Sequence, residues 1–243
     1  MTRLKLLISL FTTQIICYAQ ISNDPAAKIL LDEVSAATDA HEAIHISFEY
    51  NLNNKSENIH ENTTGELTLK KNQYTLSFMG VNQVSDGENV WTIIEEDEEI
   101  QISEIDLDDE NTLTPSNFLK MYEEGFIYEM KERNGKLQTI ELLPENVDDV
   151  DYTKIILIVD TQLKQIKKLK QFGNNQTESE YIIKDFTPTS IDDNTFILNT
   201  SHFPNFEIID LSHILTEEMY EDGTHYNKLG HESVANFISK KID

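Results

Sequence analysis

Apolar side chains in this chain recur first at helical spacing and then, for most of its length, at every second residue. Asp24-Pro25 followed by AAKILLDEVSAAT reads as a helix start, with Asp24 as the cap and Pro25 at the first helical position. Ala26, Ile29, Leu30, Val34 and Ala37 follow at helical spacing, so one face is expected to be buried. After Ala43 the period becomes two. IHISFEYNL sets Ile44, Ile46, Phe48, Tyr50 and Leu52 on one side and His45, Ser47, Glu49 and Asn51 on the other. GELTLKKNQYTLSF repeats the pattern with Leu67 and Leu69, a turn at Lys71-Asn72, then Tyr74, Leu76 and Phe78.

Asp86-Gly87 marks a tight turn before NVWTII, and Ile100, Ile102 and Ile105 resume after an acidic turn. Thr114-Pro115 announces a second helix carrying Phe118, Leu119 and Tyr122, with Gly125 just past its end. FIYEM, a turn at Asn134-Gly135, LQTIEL, KIILIVD, LKQIKKLKQF, SEYIIKDF and NTFILN continue the strands. The pattern predicts about ten or eleven short strands between Ala43 and Leu211, with one helix before them and one among them. That is an α+β arrangement, a strongly curved antiparallel sheet with helices packed on it. Two modest helices cannot cover ten strands. Either a second sheet packs on the first as an ordinary sandwich core, or the sheet curls into an open barrel whose apolar concave face stays available to a ligand.

Composition narrows the function. Arg3 and Lys5, the apolar run Leu6 to Ile16 and Ala19 before Gln20 have the order of a signal peptide, so residues 1–19 are expected to be removed. Cys17 invites a lipid-anchor reading, but Gln14-Ile15-Ile16 lacks the small residue that such a site places before its cysteine. Cleavage after Ala19 removes the single cysteine and leaves no thiol chemistry. The formal charge is −25, from 19 Lys and Arg against 44 Asp and Glu. So acidic a chain repels phosphate backbones, and nucleic acid is not an expected partner. Glu95-Glu96-Asp97-Glu98-Glu99 reads as a solvated hairpin end, and Lys164, Lys167, Lys168 and Lys170 as the wet side of a strand pair.

Catalytic groups are not evident. The sequence holds no G-x-S-x-G elbow, no Gly-rich phosphate loop and no H-E-x-x-H. None of its seven histidines pairs at the spacing of a helix-borne metal site, so neither metal nor cofactor is expected and the chain is read as a non-enzyme.

GELTLKKNQYTLSF, VSDGENVWTIIEEDEEIQISEID and TPSNFLKMYEEGF, in this order, resemble the outer-membrane lipoprotein carrier family, LolA, with SIDDNTFIL and FPNFEIIDL resembling its closing strands. The Asp86-Gly87 turn with Trp91 shortly after it is the most specific part. The resemblance implies an incomplete, strongly curved antiparallel β-barrel closed by helices. It also implies a periplasmic chaperone that takes acylated lipoproteins from an inner-membrane ABC transporter to an outer-membrane acceptor. A general periplasmic lipid-binding or envelope-stress module of the same fold is the alternative, and a monomer is expected. Candidate cargo-lining residues are Ile46, Phe48, Tyr50, Leu67, Leu69, Tyr74, Leu76, Phe78, Trp91 and Ile93 on strands, with Phe118, Leu119 and Tyr122 on the second helix. Each is equally a candidate for plain core. Thr75 stands where the family carries a lid-linking arginine, which puts that device in doubt.

The half-barrel is expected over residues 20–211, with residues 212–243 as a helical extension. In that tail YEDGTHYNKLGHE resembles the last block of GDSL or SGNH hydrolases, with Asp222, His225 and Gly230 in matching places. An aspartate and a histidine only orient and move a proton, and the nucleophile and oxyanion blocks of that family have no counterpart upstream. The expected reading is an amphipathic helix packing through Val234, Phe237, Ile238 and Ile242.

Overall fold

The computed structural model describes residues 23–105, 122, 125–147, 150–212 and 228. The expected second helix, apart from Tyr122, the leader and nearly all of the tail, with Asp222 and His225, lie outside them.

Helix α1 (Pro25–Asp39) starts as the sequence predicts: Asp24 is its cap and accepts from the Ala26 N–H at 2.8 Å. Its buried face is Ala27, Leu30, Leu31 and Val34 rather than the expected set. Ala26 is exposed, Ala37 is half-buried and Ile29 is 61% exposed. Starting the i, i+3, i+4, i+7 series one residue later turns the stripe by about 100° and leaves Ile29 beside the Lys28–Asp32 pair.

Among the described residues twelve strands form one curved, unclosed sheet. They are β1 (Ala43–Asn54), β2 (Ile59–Lys70), β3 (Gln73–Phe78), β4 (Val81–Ser85), β5 (Asn89–Ile94), β6 (Glu99–Glu104), β7 (Phe126–Asn134), β8 (Leu137–Pro144), β9 (Tyr152–Asp160), β10 (Gln165–Gly173), β11 (Thr177–Thr189) and β12 (Glu207–Asp210). Their order is β12-β6-β5-β4-β3-β2-β1-β11-β10-β9-β8-β7. Two meanders are thus joined where β1 meets β11, a pairing that runs from Ala43 opposite Thr189 to Asn54 opposite Thr177. This is the open half-barrel that the family resemblance implies. Register shifts at Ser47/Phe48, Ile166/Lys168 and Met130/Arg133 supply local bends.

Two strand assignments change. VNQVS forms β4, and NTFILN is not a strand but begins within a 3-10 turn, Asp193–Phe196, capped by the Asp192 carboxylate. The segment 190–206 crosses the width of the first meander to reach β12, which pairs parallel with β6. Lys70 fastens that crossing: its ammonium donates to the Ile191 carbonyl at 3.1 Å and meets Asp193 at 2.8 Å and Glu42 at 3.2 Å.

Candidate functional site

Strand alternation and the registers assign each side chain to a face. On the inner face, Leu169 of β10 opposes Tyr181, Tyr181 opposes Tyr50, and Ile46 opposes Leu67, which opposes Leu76. This face divides into two clusters. Under α1, Ala27, Leu30, Leu31 and Val34 pack on Tyr128, Ile140, Leu142, Ile155, Leu157 and Leu169. The other cluster gathers Ile44, Ile46, Phe48, Tyr50, Leu69, Tyr74 and Val90, with half-buried Leu67, Leu76 and Phe78. Tyr181 packs against both. Among the described residues, the second cluster draws only on strands and Ile105, and no helix lies over it.

Four aromatic rings meet within it. Phe78 lies 5.4 Å from Phe48, 5.2 Å from Tyr50 and 6.4 Å from Tyr181, centroid to centroid. Phe78 and Tyr181 belong to strands three places apart, roughly 14 Å at the usual interstrand spacing. Rings so far apart in sheet order meet because the sheet curves toward them. Burial, joined by the neighbouring Tyr50, pushes the Tyr181 hydroxyl up to about 12, and burial alone takes Tyr74 to about 12. Both phenols are therefore neutral at physiological pH. Tyr50 shares a hydrogen bond with Ser179 at 3.2 Å, and Tyr74 donates to Gln83 Oε1 at 3.4 Å.

Ile46, Phe48, Tyr50, Leu67, Leu69, Tyr74, Leu76 and Phe78 thus come together in one cluster. Trp91 and Ile93 do not join them. The continuous registers Tyr74↔Ser85↔Val90 and Thr75↔Val84↔Trp91 put Val90 on the inner face and Trp91 and Ile93 on the outer. Tyr122 is buried in the cluster under α1, and Phe118 and Leu119 lie outside the described residues. Tyr181, Ile183 and Phe186 pack against the same cluster although sequence reasoning left them out. The alternation of Tyr181 with Ile183 in SEYIIKDF was the available signal. Phe186 was hidden by the bulge opposite Ser47/Phe48, which returns it to the inner face out of strict alternation. Thr75 faces outward beside Thr68 and Val84, so it offers nothing to the inner face.

Among the described residues reactive geometry is sparse on both faces. On the outer face His45 lies between Glu66, 3.0 Å from Nε2, and the Thr68 hydroxyl, 3.0 Å from Nδ1. This resembles an acid–base–hydroxyl line, but β1 and β2 are both interior strands whose backbone N–H groups serve the ladders on either side. No pair of backbone donors is left there to hold an oxyanion. Among the described residues no group of three or more His, Asp or Glu is placed to hold a metal ion. The expected basic strand pair is neutralised locally, with Lys168 on Glu180 and Lys170 on Glu178, each at 2.8 Å.

No family model matches the chain, and no curated protein matches it. Solved structures similar to it include a LolA superfamily protein from Nitrosomonas europaea, 10% identical over 71% of this chain and 97% of the other, with a TM-score of 0.41. The lipoprotein LppX of Mycobacterium tuberculosis is 12% identical over 70% of this chain and all of its own, with a TM-score of 0.42. A MucA/MucB complex from Pseudomonas aeruginosa is 12% identical over 72% of this chain and 62% of that one, with a TM-score of 0.41.

Proposed function

We propose that this protein is a periplasmic acyl-chain carrier, a chaperone that shields the lipid part of lipoproteins on the inner face of β1–β5 and β11 and delivers them to the outer membrane. The observation that carries the reading is the aromatic and aliphatic cluster around Phe48, Tyr50, Phe78 and Tyr181, which no described helix covers. Acyl chains need such a surface. At ~0.8 kcal/mol per buried CH₂, one palmitoyl-length chain is worth roughly 10 kcal/mol out of water. Full burial of three chains would exceed what a reversible carrier can release, so partial coverage with a movable cover is the workable design. The inner-membrane ABC transporter as donor and an outer-membrane protein as acceptor belong to the same reading. Residues 1–19 act as its cleaved leader, residues 20–211 as its binding domain and residues 212–243 as an accessory extension.

The test is native mass spectrometry of mature protein purified from the envelope of its own host, followed by extraction and identification of the cargo. Acylated lipoproteins or their acyl peptides are expected. Free phospholipid would replace the carrier with a general lipid-binding module, and protein with no acyl cargo that also takes up none in vitro would end the lipid reading.

A further inference from the structure

The inner face changes chemistry along a single cross-strand row. Ile46, Leu67 and Leu76 stand in register, and the row continues through Gln83, Thr92 and Gln101 on β4, β5 and β6. Three apolar positions are followed by three uncharged polar ones. The polar part is organised: Tyr74 donates to Gln83 Oε1, and Gln83 donates to Thr92 Oγ1 at 3.2 Å. Gln101 donates to Glu99 Oε1 at 2.6 Å. Each glutamine amide carries two N–H donors, so these bonds leave Gln83 and Gln101 further donor capacity.

The charges around this row all have one sign. The cations within residues 43–105 are Lys55, Lys70 and Lys71. Lys55 and Lys71 lie in turns, and Lys70 follows Leu69 on the opposite face, where Asp193 and Glu42 hold it. Glu99 flanks Gln101 on the inner face. An anion placed against Gln83, Thr92 and Gln101 would therefore meet a carboxylate and no cation among the described residues, whereas a neutral carbonyl can accept from the glutamine amides.

Building on the acyl-binding reading, we propose that Gln83, Thr92 and Gln101 receive the uncharged ester or amide linkage of the cargo, so that the site takes acyl chains on neutral heads and discriminates against anionic ones. The acyl chain lies toward Leu76, Phe78 and Tyr181, and its carbonyl comes to rest where the row turns polar.

The test compares two competitors with the same chain, N-palmitoyl ethanolamine and palmitate, displacing a neutral dansyl palmitoyl amide from the full mature protein at pH 8. The amide is expected to compete about tenfold or more better than the anion, beyond its performance against a carrier without polar groups. The variant Gln83→Leu/Thr92→Val/Gln101→Leu should still bind the probe and lose the preference, and Gln101→Leu alone should reduce it. Phe78→Asp should weaken both competitors together. Equal competition by the two ligands in the native protein, or an unchanged preference in the triple variant, overturns the assignment while leaving the acyl site standing. Failure of the native protein to bind the probe at all overturns both.

Discussion

The ring of Phe48 lies directly on the backbone of Gly65: a Cβ built on that glycine would sit 2.2 Å from Cζ of Phe48. Gly65 opposes Phe48 on β1 and Phe78 on β3, so the two rings meet at 5.4 Å above the one residue between them that has no side chain. The glycine makes room for the aromatic cluster.

Gly65→Ala should therefore displace the Phe48 ring, which Phe78 and Tyr181 hold on its other sides. A loss of about 1–3 kcal/mol is expected, as for overpacking elsewhere, with weaker binding of an acyl probe. Urea denaturation and probe titration measure the two effects. A more stable variant with unchanged binding would show that the ring has somewhere else to go.

Asp160 gives the fold a pH dependence. Its side chain is 1% exposed and meets Lys136, itself 52% exposed, at 2.8 Å, while the N–H groups of Gln162 and Leu163 donate to Oδ1 at 3.0 and 3.1 Å. The Lys136 ammonium beside it foremost, with those N–H groups, outweighs burial and lowers the carboxyl from its ordinary value to about 2. The folded value lies below the unfolded one, so this stabilisation is complete above about pH 4 and is lost as pH falls toward 2. Asp160→Ala should cost about 1–3 kcal/mol at neutral pH, because the two turn N–H groups lose their acceptor. The gap between the variant and the native protein should narrow in melts taken from pH 5 down to pH 2.

Asn23 and Asp24 cover the free edge of β7. Asn23 Oδ1 accepts from the Tyr128 N–H at 2.9 Å, the Asp24 N–H donates to the Tyr128 carbonyl at 3.0 Å, and Asp24 Oδ2 accepts from Met130 at 3.4 Å. Asn23→Ala/Asp24→Ala should remove the two side-chain acceptors of this cover together with the helix cap, costing about 1 kcal/mol for the cap. The bared edge should then promote self-association. Light scattering at increasing concentration reads it, and a variant as monodisperse as the native protein would assign edge protection elsewhere.

Lys70→Met should loosen the crossing segment without opening the sheet. Asp193 first, then Glu42, raise the Lys70 ammonium above its ordinary range, and the Ile191 carbonyl completes its shell. Faster amide exchange is expected at residues 190–197, with β1, β2 and β3 unchanged. Uniform exchange across all of them would mean that Lys70 serves the sheet and not the crossing.

Alternation and turn chemistry alone determined most of the strands, the cap of α1 and the inner grouping of Ile46, Phe48, Tyr50, Leu67, Leu69, Tyr74, Leu76 and Phe78. These are local properties: side chains alternate within a strand, and Lys71-Asn72 with its short turn fixes how β2 meets β3. Only the tertiary structure decided how faces correspond between strands farther apart. VNQVS did not read as a strand, yet β4 carries the register from Tyr74 to Val90 and so turns Trp91 and Ile93 outward. A one-residue difference in register inverts a face, and no periodicity within β5 reveals it. The bulge that returns Phe186 inward, the parallel seat of β12 and the meeting of Tyr181 with Phe78 across three strand intervals likewise depend on pairings made between residues far apart in the chain.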